Sequence, residues 1–192
     1  MGRYTTDPLT EKQLKDLIEI ITTGYTDDDG IPHKPNKQIA TILTLQANLG
    51  CRIGDICGLT IENFVKDGEI WKLDLTEQKT GKKRYFIVPQ KVKKFIDKWT
   101  KDNHITTGRL FSIGEYAVWK QLRPATKVLE LENISAHSIR KLAGKRLYEA
   151  SGNDISLVCQ YYQHSSPAIT QQYLRRTSKQ MDEAISKSVL MV

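Results

Sequence analysis

The sequence lacks the features that mark secreted, membrane-spanning or metal-binding proteins. Its three cysteines, Cys51, Cys57 and Cys159, form no metal-ligand spacing, and an odd number cannot close a complete set of disulfides. The first residues contain no apolar signal segment, and no run approaches the roughly 18 apolar residues that a membrane span needs. There is also no internal repeat, low-complexity tract or linker. These absences predict one globular domain over residues 1–192, located in a reducing cytoplasm.

Basic residues are in excess. The chain has 29 Lys and Arg against 22 Asp and Glu, which gives a formal net charge of +7. A basic surface attracts polyphosphate because neutralising backbone phosphates releases their counterions. Mild basicity is also common in proteins that bind no nucleic acid, so the charge permits such a partner without establishing one.

Hydrophobic spacing predicts a mainly helical chain. A capping box at Thr10 and Gln13 indicates the start of the first helix. Apolar residues at helical spacing over 39–49 outline a second helix, which Gly50 closes. Helical spacing returns after residue 92 and again from about residue 114, where Pro124 is expected to interrupt the helix.

Between these helices, residues 70–89 alternate apolar and polar side chains. That period of two predicts a β-hairpin, and the basic run 79–84 forms its turn region. The fold class predicted from the whole pattern is mainly α with a small antiparallel β-sheet.

The last third of the chain concentrates residues suited to phosphodiester chemistry. A helix starting at Ser135 or Ala136 places His137 and Arg140 on one face, so both side chains can converge on one anionic group. Asp154 can cap the next helix, and Ser166-Pro167 is a good start for a third. His164 and Tyr173 are nine residues apart, which is far enough for a turn to return a short helix towards the same site.

Seven positions match one known pattern, six of them in catalytic roles. They are Arg52 and Asp55 within Gly50-x-Arg52-x-x-Asp55-x-x-x-Leu59, Lys79 on the hairpin, His137-x-x-Arg140, His164 and Tyr173. Each motif alone is weak, but together and in this order they resemble the tyrosine recombinase (phage integrase) family over almost the whole chain. Two departures stand out: Gln163 replaces a usual glycine, and Lys141 replaces a frequent histidine.

The resemblance implies a site-specific recombinase that cleaves and rejoins DNA strands through a 3′-phosphotyrosyl intermediate. Tyr173 is the implied nucleophile, and Arg52 and Arg140 are the implied donors to the phosphate oxygens. Lys79 would protonate the leaving 5′ oxygen. His137 would accept the tyrosine proton or orient the site, His164 would donate to a phosphate oxygen, and Asp55 would orient Arg52.

The resemblance also implies partners. They are double-stranded DNA and further copies of the chain, assembled as a tetramer on the DNA, with no metal and no cofactor. Lys82, Lys83, Arg84 and Lys141 are predicted DNA contacts, and the segment 178–192 is expected to pack onto a neighbouring protomer. By the same resemblance we expect the sequence to begin at the first catalytic-domain helix without an N-terminal core-binding domain, as in a fragment of a longer integrase or a short recombinase.

Several alternatives stay open. A type IB topoisomerase uses closely similar residues, and a non-catalytic DNA-binding regulator of recombination belongs to a different class. Lys82 or Lys83 could replace Lys79 as the catalytic lysine. Tyr161 and Tyr162 are expected in the core, as are the three tryptophans, Trp71, Trp99 and Trp119, whereas His33 and His104 are expected on the surface without partners.

Overall fold

In a computed structural model that describes residues 6–174, the chain is mainly helical with two small antiparallel sheets, as predicted. The helices are α1 (Glu11–Thr23), α2 (Lys37–Leu49), α3 (Ile53–Cys57), α4 (Gln90–Asp102), α5 (Glu115–Val128), α6 (Ala136–Ala150), α7 (Ile155–Tyr162) and α8 (Pro167–Leu174). The strands are β1 (Tyr25–Thr26), β2 (Pro32–His33), β3 (Phe64–Asp67), β4 (Ile70–Thr76) and β5 (Lys83–Val88). The chain divides into two compact units, and the boundary follows Ala143 inside α6.

Capping residues determine where the first two long helices of the first unit begin. The capping box is present: the Thr10 hydroxyl accepts from the backbone N–H of Gln13, whose side chain accepts from that of Thr10. Asn36 caps α2 with a single hydrogen bond, its side-chain oxygen accepting from the backbone N–H of Ile39 at 3.0 Å. Helix α2 is buried on most of its positions and ends at Gly50, whose φ of +58° suits a residue without a Cβ. The chain therefore turns sharply just before Arg52.

The predicted hairpin is the β4–β5 pair, and β3 adds a third strand on the other side of β4. Strand β3 was not predicted because its four residues, Phe-Val-Lys-Asp, are too short to show alternation. In β5 the inward-facing positions are Arg84, half-buried Phe86 and Val88, while Tyr85 and Ile87 face solvent. An arginine therefore occupies an inward position of the sheet.

Pro124 does not interrupt α5, so that expectation was wrong. Proline removes one backbone hydrogen bond and favours a kink, but the helix continues to Val128. Leu122 and Ala125, on either side of Pro124, are almost completely buried. Their packing against the core outweighs the local effect of one proline.

Two further expectations were wrong: that Trp119 lies in the core and that His33 has no partner. Trp119 is 49% exposed, where its ring stacks on Tyr116 at 5.9 Å and lies beneath Arg123. His33 has a partner, because its Nε2 lies 2.8 Å from a carboxylate oxygen of Asp27. Both residues depend on contacts that a residue-by-residue pattern does not encode.

In the second unit, Asp154 caps α7, accepting from the backbone nitrogen of Ser156 at 2.8 Å. Helix α8 begins at Pro167, as predicted. Tyr162 is buried as expected, and its ring packs closely on Gly144, where a Cβ would lie only 3.0 Å from the ring. Within residues 6–174, none of the helices combines the length and apolar character needed to cross a membrane. The segment 178–192 lies outside the described residues.

Candidate active site

Arg52 stands at the N-cap of α3, two residues after the left-handed turn at Gly50. Its guanidinium forms an ion pair with the Glu77 carboxylate, and the arginine side chain is 27% exposed. The carboxylate itself is buried at 2% exposure. The buried Glu77 carboxylate therefore fixes the Arg52 guanidinium, while part of the arginine side chain remains accessible to a ligand.

Arg140 is tied to the same turn. It lies in α6, is only 2% exposed, and donates from Nη1 to the carbonyl oxygen of Gly50 at 2.8 Å. That carbonyl precedes Arg52 by two residues, although 90 residues separate Gly50 from Arg140 in sequence. The two predicted arginines are thus anchored to one short stretch of backbone.

A neutral thiol lies between Gly50 and Arg52 in sequence. Cys51 is fully buried, and burial raises the pKa of its thiol to about 11 despite the opposing charges of Arg84 and Arg140. At neutral pH the group is a protonated thiol that packs as a small apolar side chain.

Lys79 lies in the turn between β4 and β5 and is exposed. Its charge acts on His137, since Lys79 is one of the cations that lower the pKa of that histidine. Lys82 and Lys83 are also exposed, and Lys83 pairs with Asp74 at 3.3 Å. The electrostatic coupling to His137 favours Lys79 among the three, and its catalytic role stays a prediction.

His137 begins the first turn of α6. Partial desolvation lowers the pKa of its imidazole, the positive charges of Arg140, Lys141 and Lys79 lower it further, and Glu115 opposes them. The neutral imidazole is therefore favoured at neutral pH, and a neutral imidazole can accept a proton.

Two of the predicted DNA contacts, Arg84 and Lys141, are buried in the structure and have partners within the first unit. Arg84 is 1% exposed, pairs with Glu77 at 3.4 Å and stacks over the ring of Phe86. Lys141 is 7% exposed, and its ammonium donates to the backbone carbonyl of Thr6. Both cations stabilise the first unit from within, because the strand register turns Arg84 inward and the burial of α6 encloses Lys141.

Asp55 does not hold Arg52 in the structure. Its Oδ1 accepts from the backbone N–H of Gln78 at 2.9 Å, so this carboxylate contacts the Lys79 turn instead. The carboxylate that pairs with Arg52 is Glu77, which sequence reasoning missed. A signal was available: Glu77 continues the inward positions Leu73 and Leu75 of β4 and is buried where a charge needs a partner.

The second unit contributes a different kind of arrangement. The Nδ1 atom of His164 lies 2.9 Å from the hydroxyl oxygen of Thr170, which is completely buried. The imidazole also stacks on the Tyr162 ring, with centroids 5.4 Å apart and planes 16° apart. Tyr173 belongs to the last turn of α8. The Thr170 hydroxyl and the Tyr162 ring thus both contribute to orienting His164.

The departure at Gln163 has a conformational consequence. Gln163 closes α7 in the left-handed conformation, with φ at +53° and its backbone N–H bonded to the Gln160 carbonyl at 3.0 Å. Glycine adopts this conformation without strain, which explains why glycine suits the position just before the histidine. Gln163 preserves the turn at some cost in stability.

Comparison with known proteins agrees with the fold and the motifs. The probable integrase/recombinase YoeC of Bacillus subtilis is 29% identical over 147 residues, which cover 72% of this chain and 78% of YoeC. Tyrosine recombinase XerA of Pyrococcus furiosus is 26% identical over 194 aligned positions, covering 95% of this chain and 62% of XerA. A crystal structure of the XerH recombinase bound to palindromic difH substrate matches with a TM-score of 0.69 at 17% identity, over 94% of this chain and 53% of XerH.

The fold and motifs therefore define a catalytic domain of the tyrosine recombinase class. A family model described as the phage integrase family matches residues 8–180. The chain belongs to that family, and the recognition made from the sequence is confirmed.

Proposed function

We propose that this chain cleaves and rejoins double-stranded DNA, holding the cut strand as a 3′-phosphotyrosine on Tyr173. The observation that carries the proposal is the anchoring of Arg52 and Arg140 to one turn of backbone, by way of the Gly50 carbonyl. Two guanidinium groups fixed in this way suit the non-bridging oxygens of a phosphodiester.

The proposed reaction is a transesterification. The Tyr173 hydroxyl oxygen attacks phosphorus, the bond from phosphorus to the 5′ oxygen breaks, and a tyrosine–phosphate bond takes its place. His137 accepts the phenolic proton, in keeping with its lowered pKa, and Lys79 donates a proton to the departing 5′ oxygen. Attack by a 5′ hydroxyl on the phosphotyrosine reverses each step, so no external energy source is consumed.

Charge that develops on the non-bridging oxygens is assigned to Arg52, Arg140 and His164. Because Thr170 engages the Nδ1 atom of His164, we assign the hydrogen bond to phosphate to the Nε2 atom.

The DNA partner and the assembly belong to the same proposal. The XerH relative was crystallised with a palindromic DNA substrate, and a palindrome presents two equivalent half-sites. We propose that this chain likewise works as an oligomer on DNA, as a tetramer during strand exchange and in the cytoplasm. Lys82 and Lys83, which are exposed, keep their proposed role as DNA contacts.

A suicide duplex with a nick close to the scissile phosphate tests the proposal, because the short cleaved fragment diffuses away and traps the adduct. Wild-type protein should give a covalent protein–DNA band, whereas Tyr173→Phe should give none and still bind the duplex, since no positive charge is lost. Tyr161→Phe serves as the matched control and should form the adduct normally.

The outcomes separate the alternatives. An adduct that persists in Tyr173→Phe would move the nucleophile elsewhere. Wild-type binding with no adduct would favour a non-catalytic regulator, and supercoil relaxation without strand exchange between two sites would favour a topoisomerase.

A further inference from the structure

Glu77 closes the loop that carries Lys79. Its backbone N–H donates to the Lys82 carbonyl at 2.9 Å, and its own carbonyl accepts from Gly81 at 2.8 Å. These two bonds form the base of the β4–β5 turn, and residues 78–80 lie above it. The Glu77 side chain points inward and is only 2% exposed, while Lys79 faces solvent.

The Glu77 carboxylate joins three segments of the first unit. One oxygen, Oε2, pairs with Arg52 at the start of α3 and accepts from the Thr80 hydroxyl at 2.5 Å. The other oxygen, Oε1, lies 3.4 Å from Arg84 in β5. A single buried group thereby contacts the start of α3, the Lys79 turn and the sheet.

The carboxylate is ionised at neutral pH. Burial alone would raise the pKa of Glu77, but the Thr80 hydroxyl and the guanidinium groups of Arg52 and Arg84 hold that pKa below its usual range. The charge is thus maintained by the groups that it holds in place.

A second set of contacts fixes the other side of the turn. The backbone N–H of Gln78 donates to Asp55, and the Gln78 amide donates to the Gly54 carbonyl at 3.2 Å. This approach is close, since a Cβ at Gly58 would lie 2.5 Å from the Gln78 amide nitrogen. Both neighbours of Lys79 in sequence, Gln78 and Thr80, are therefore bonded to fixed carboxylates.

The negative Glu77 carboxylate does not strengthen phosphate binding at Arg52, because the carboxylate and the phosphate are both negatively charged and repel each other. The position of Glu77 is explained by geometry: a fixed partner restricts Arg52 to one orientation, and the same partner holds Thr80 next to Lys79. Misplacing a catalytic group by about 1 Å is enough to lower a rate by about 10²-fold.

We propose, on the basis of the function proposed above, that Glu77 is a positioning residue that holds Arg52 and the Lys79 turn in one arrangement around the scissile phosphate. Glu77 touches neither the DNA nor the reacting atoms in this proposal. It acts through Arg52 directly and through Thr80 on Lys79.

The test compares two variants and a control. Glu77→Gln keeps the shape but removes the charge, and Thr80→Val removes only the hydroxyl on the Lys79 side of the carboxylate. Glu69→Gln is the matched control, since Glu69 is an exposed glutamate in the β3–β4 turn of the same sheet. Cleavage rates are measured at saturating suicide substrate, alongside DNA affinity and thermal melting.

A second substrate reports on Lys79. Replacing the 5′ bridging oxygen with sulfur gives a thiolate leaving group, which departs without a proton because thiol pKa values lie near 8.5. On ordinary DNA we expect Glu77→Gln to cleave about 10²-fold more slowly than wild type, with unchanged affinity. On the sulfur substrate, Thr80→Val should regain most of its lost rate, because protonation by Lys79 is no longer needed. Glu77→Gln should regain only part of its lost rate, because Arg52 remains misplaced in that variant.

Equal cleavage rates for Glu77→Gln and Glu69→Gln would overturn the inference. A loss in Glu77→Gln that is explained entirely by lower DNA affinity or by unfolding at the assay temperature would overturn it as well, as would the absence of any sulfur rescue in both variants. These results leave the proposed function intact provided that wild-type protein forms the Tyr173 adduct. Failure of that adduct would instead refute the proposed function itself.

Discussion

The two units orient their functional side chains by different physical means. In the first unit, the arginines are held by a buried carboxylate and a backbone carbonyl, through Arg52 to Glu77 and Arg140 to Gly50. In the second unit, His164 is held by a neutral hydroxyl and an aromatic ring, those of Thr170 and Tyr162.

The difference follows from what each side chain must do. An arginine remains charged whatever its surroundings, so a buried carboxylate can fix its direction without changing its protonation. A carboxylate next to a histidine would favour the imidazolium form, whereas a hydroxyl orients the ring with little effect on its charge. Arg52, whose charge is permanent, is thus held by an ionic contact, whereas His164, which can titrate, is contacted by a hydroxyl and an aromatic ring.

The largest effect is expected from breaking the ionic side of this comparison. Arg140→Ala removes one phosphate donor and should slow cleavage by about 10²–10³-fold, as the loss of one oxyanion donor does in other enzymes. Arg140→Lys should fall between this variant and wild type, because lysine keeps the charge but not the forked geometry. The rates are measured with the suicide duplex at saturating protein.

Lys145→Ala controls for the loss of one positive charge from the same helix. Lys145 lies on the surface and pairs loosely with Glu149 at 3.8 Å. A loss below about fivefold in Arg140→Ala, or an equal loss in Lys145→Ala, would remove Arg140 from the group that binds the phosphate.

A smaller effect is expected on the neutral side. Thr170→Val preserves the shape of a buried residue but deletes the hydroxyl 2.9 Å from His164. The cleavage rate should fall about tenfold, the lower end of the loss seen when the hydrogen-bond partner of a metal-ligating histidine is removed. A double-mutant cycle measures the dependence: in a His164→Ala background, Thr170→Val should have no further effect on the rate. An undiminished effect there would show that Thr170 acts independently of His164.

The smallest effect concerns stability. Gln163→Gly relieves a left-handed residue at the end of α7 and should raise the free energy of unfolding by about 0.5–1 kcal/mol, with cleavage unchanged. Gln160→Gly, in the interior of the same helix, should lower it by about 1 kcal/mol. Urea denaturation of both variants checks the pair, and destabilisation by both would contradict the conformational reading of Gln163.

Structural features that depend on neighbouring residues in the sequence could be predicted, whereas those that depend on distant residues could not. The Thr10 capping box, the left-handed turn at Gly50 and the helix carrying His137 and Arg140 each rest on a few neighbouring residues, and the sequence was sufficient for them. Arg84 and Lys141 were misassigned as surface cations because their burial depends on strand register and on packing far along the chain.

The carboxylates of the site illustrate the same limit. Spacing alone suggested Asp55 as the partner of Arg52, since the two lie one helical turn apart. The structure pairs Arg52 with Glu77, 25 residues later, and directs Asp55 to Gln78. Helical spacing does not apply to Arg52, because it caps α3 in an extended conformation and its side chain points towards the sheet.

The central proposal is that Arg52 and Arg140 supply most of the charge stabilisation at the phosphate, whereas Thr170 acts only by orienting the hydrogen bond that His164 donates. A methylphosphonate at the scissile position tests it most directly, because a methyl group replaces one charged oxygen while the geometry at phosphorus is retained. The account predicts that the rate losses of Arg52→Ala and Arg140→Ala shrink at least about tenfold on this substrate, whereas the loss caused by Thr170→Val stays the same. Equal losses on both substrates for all three variants would contradict it.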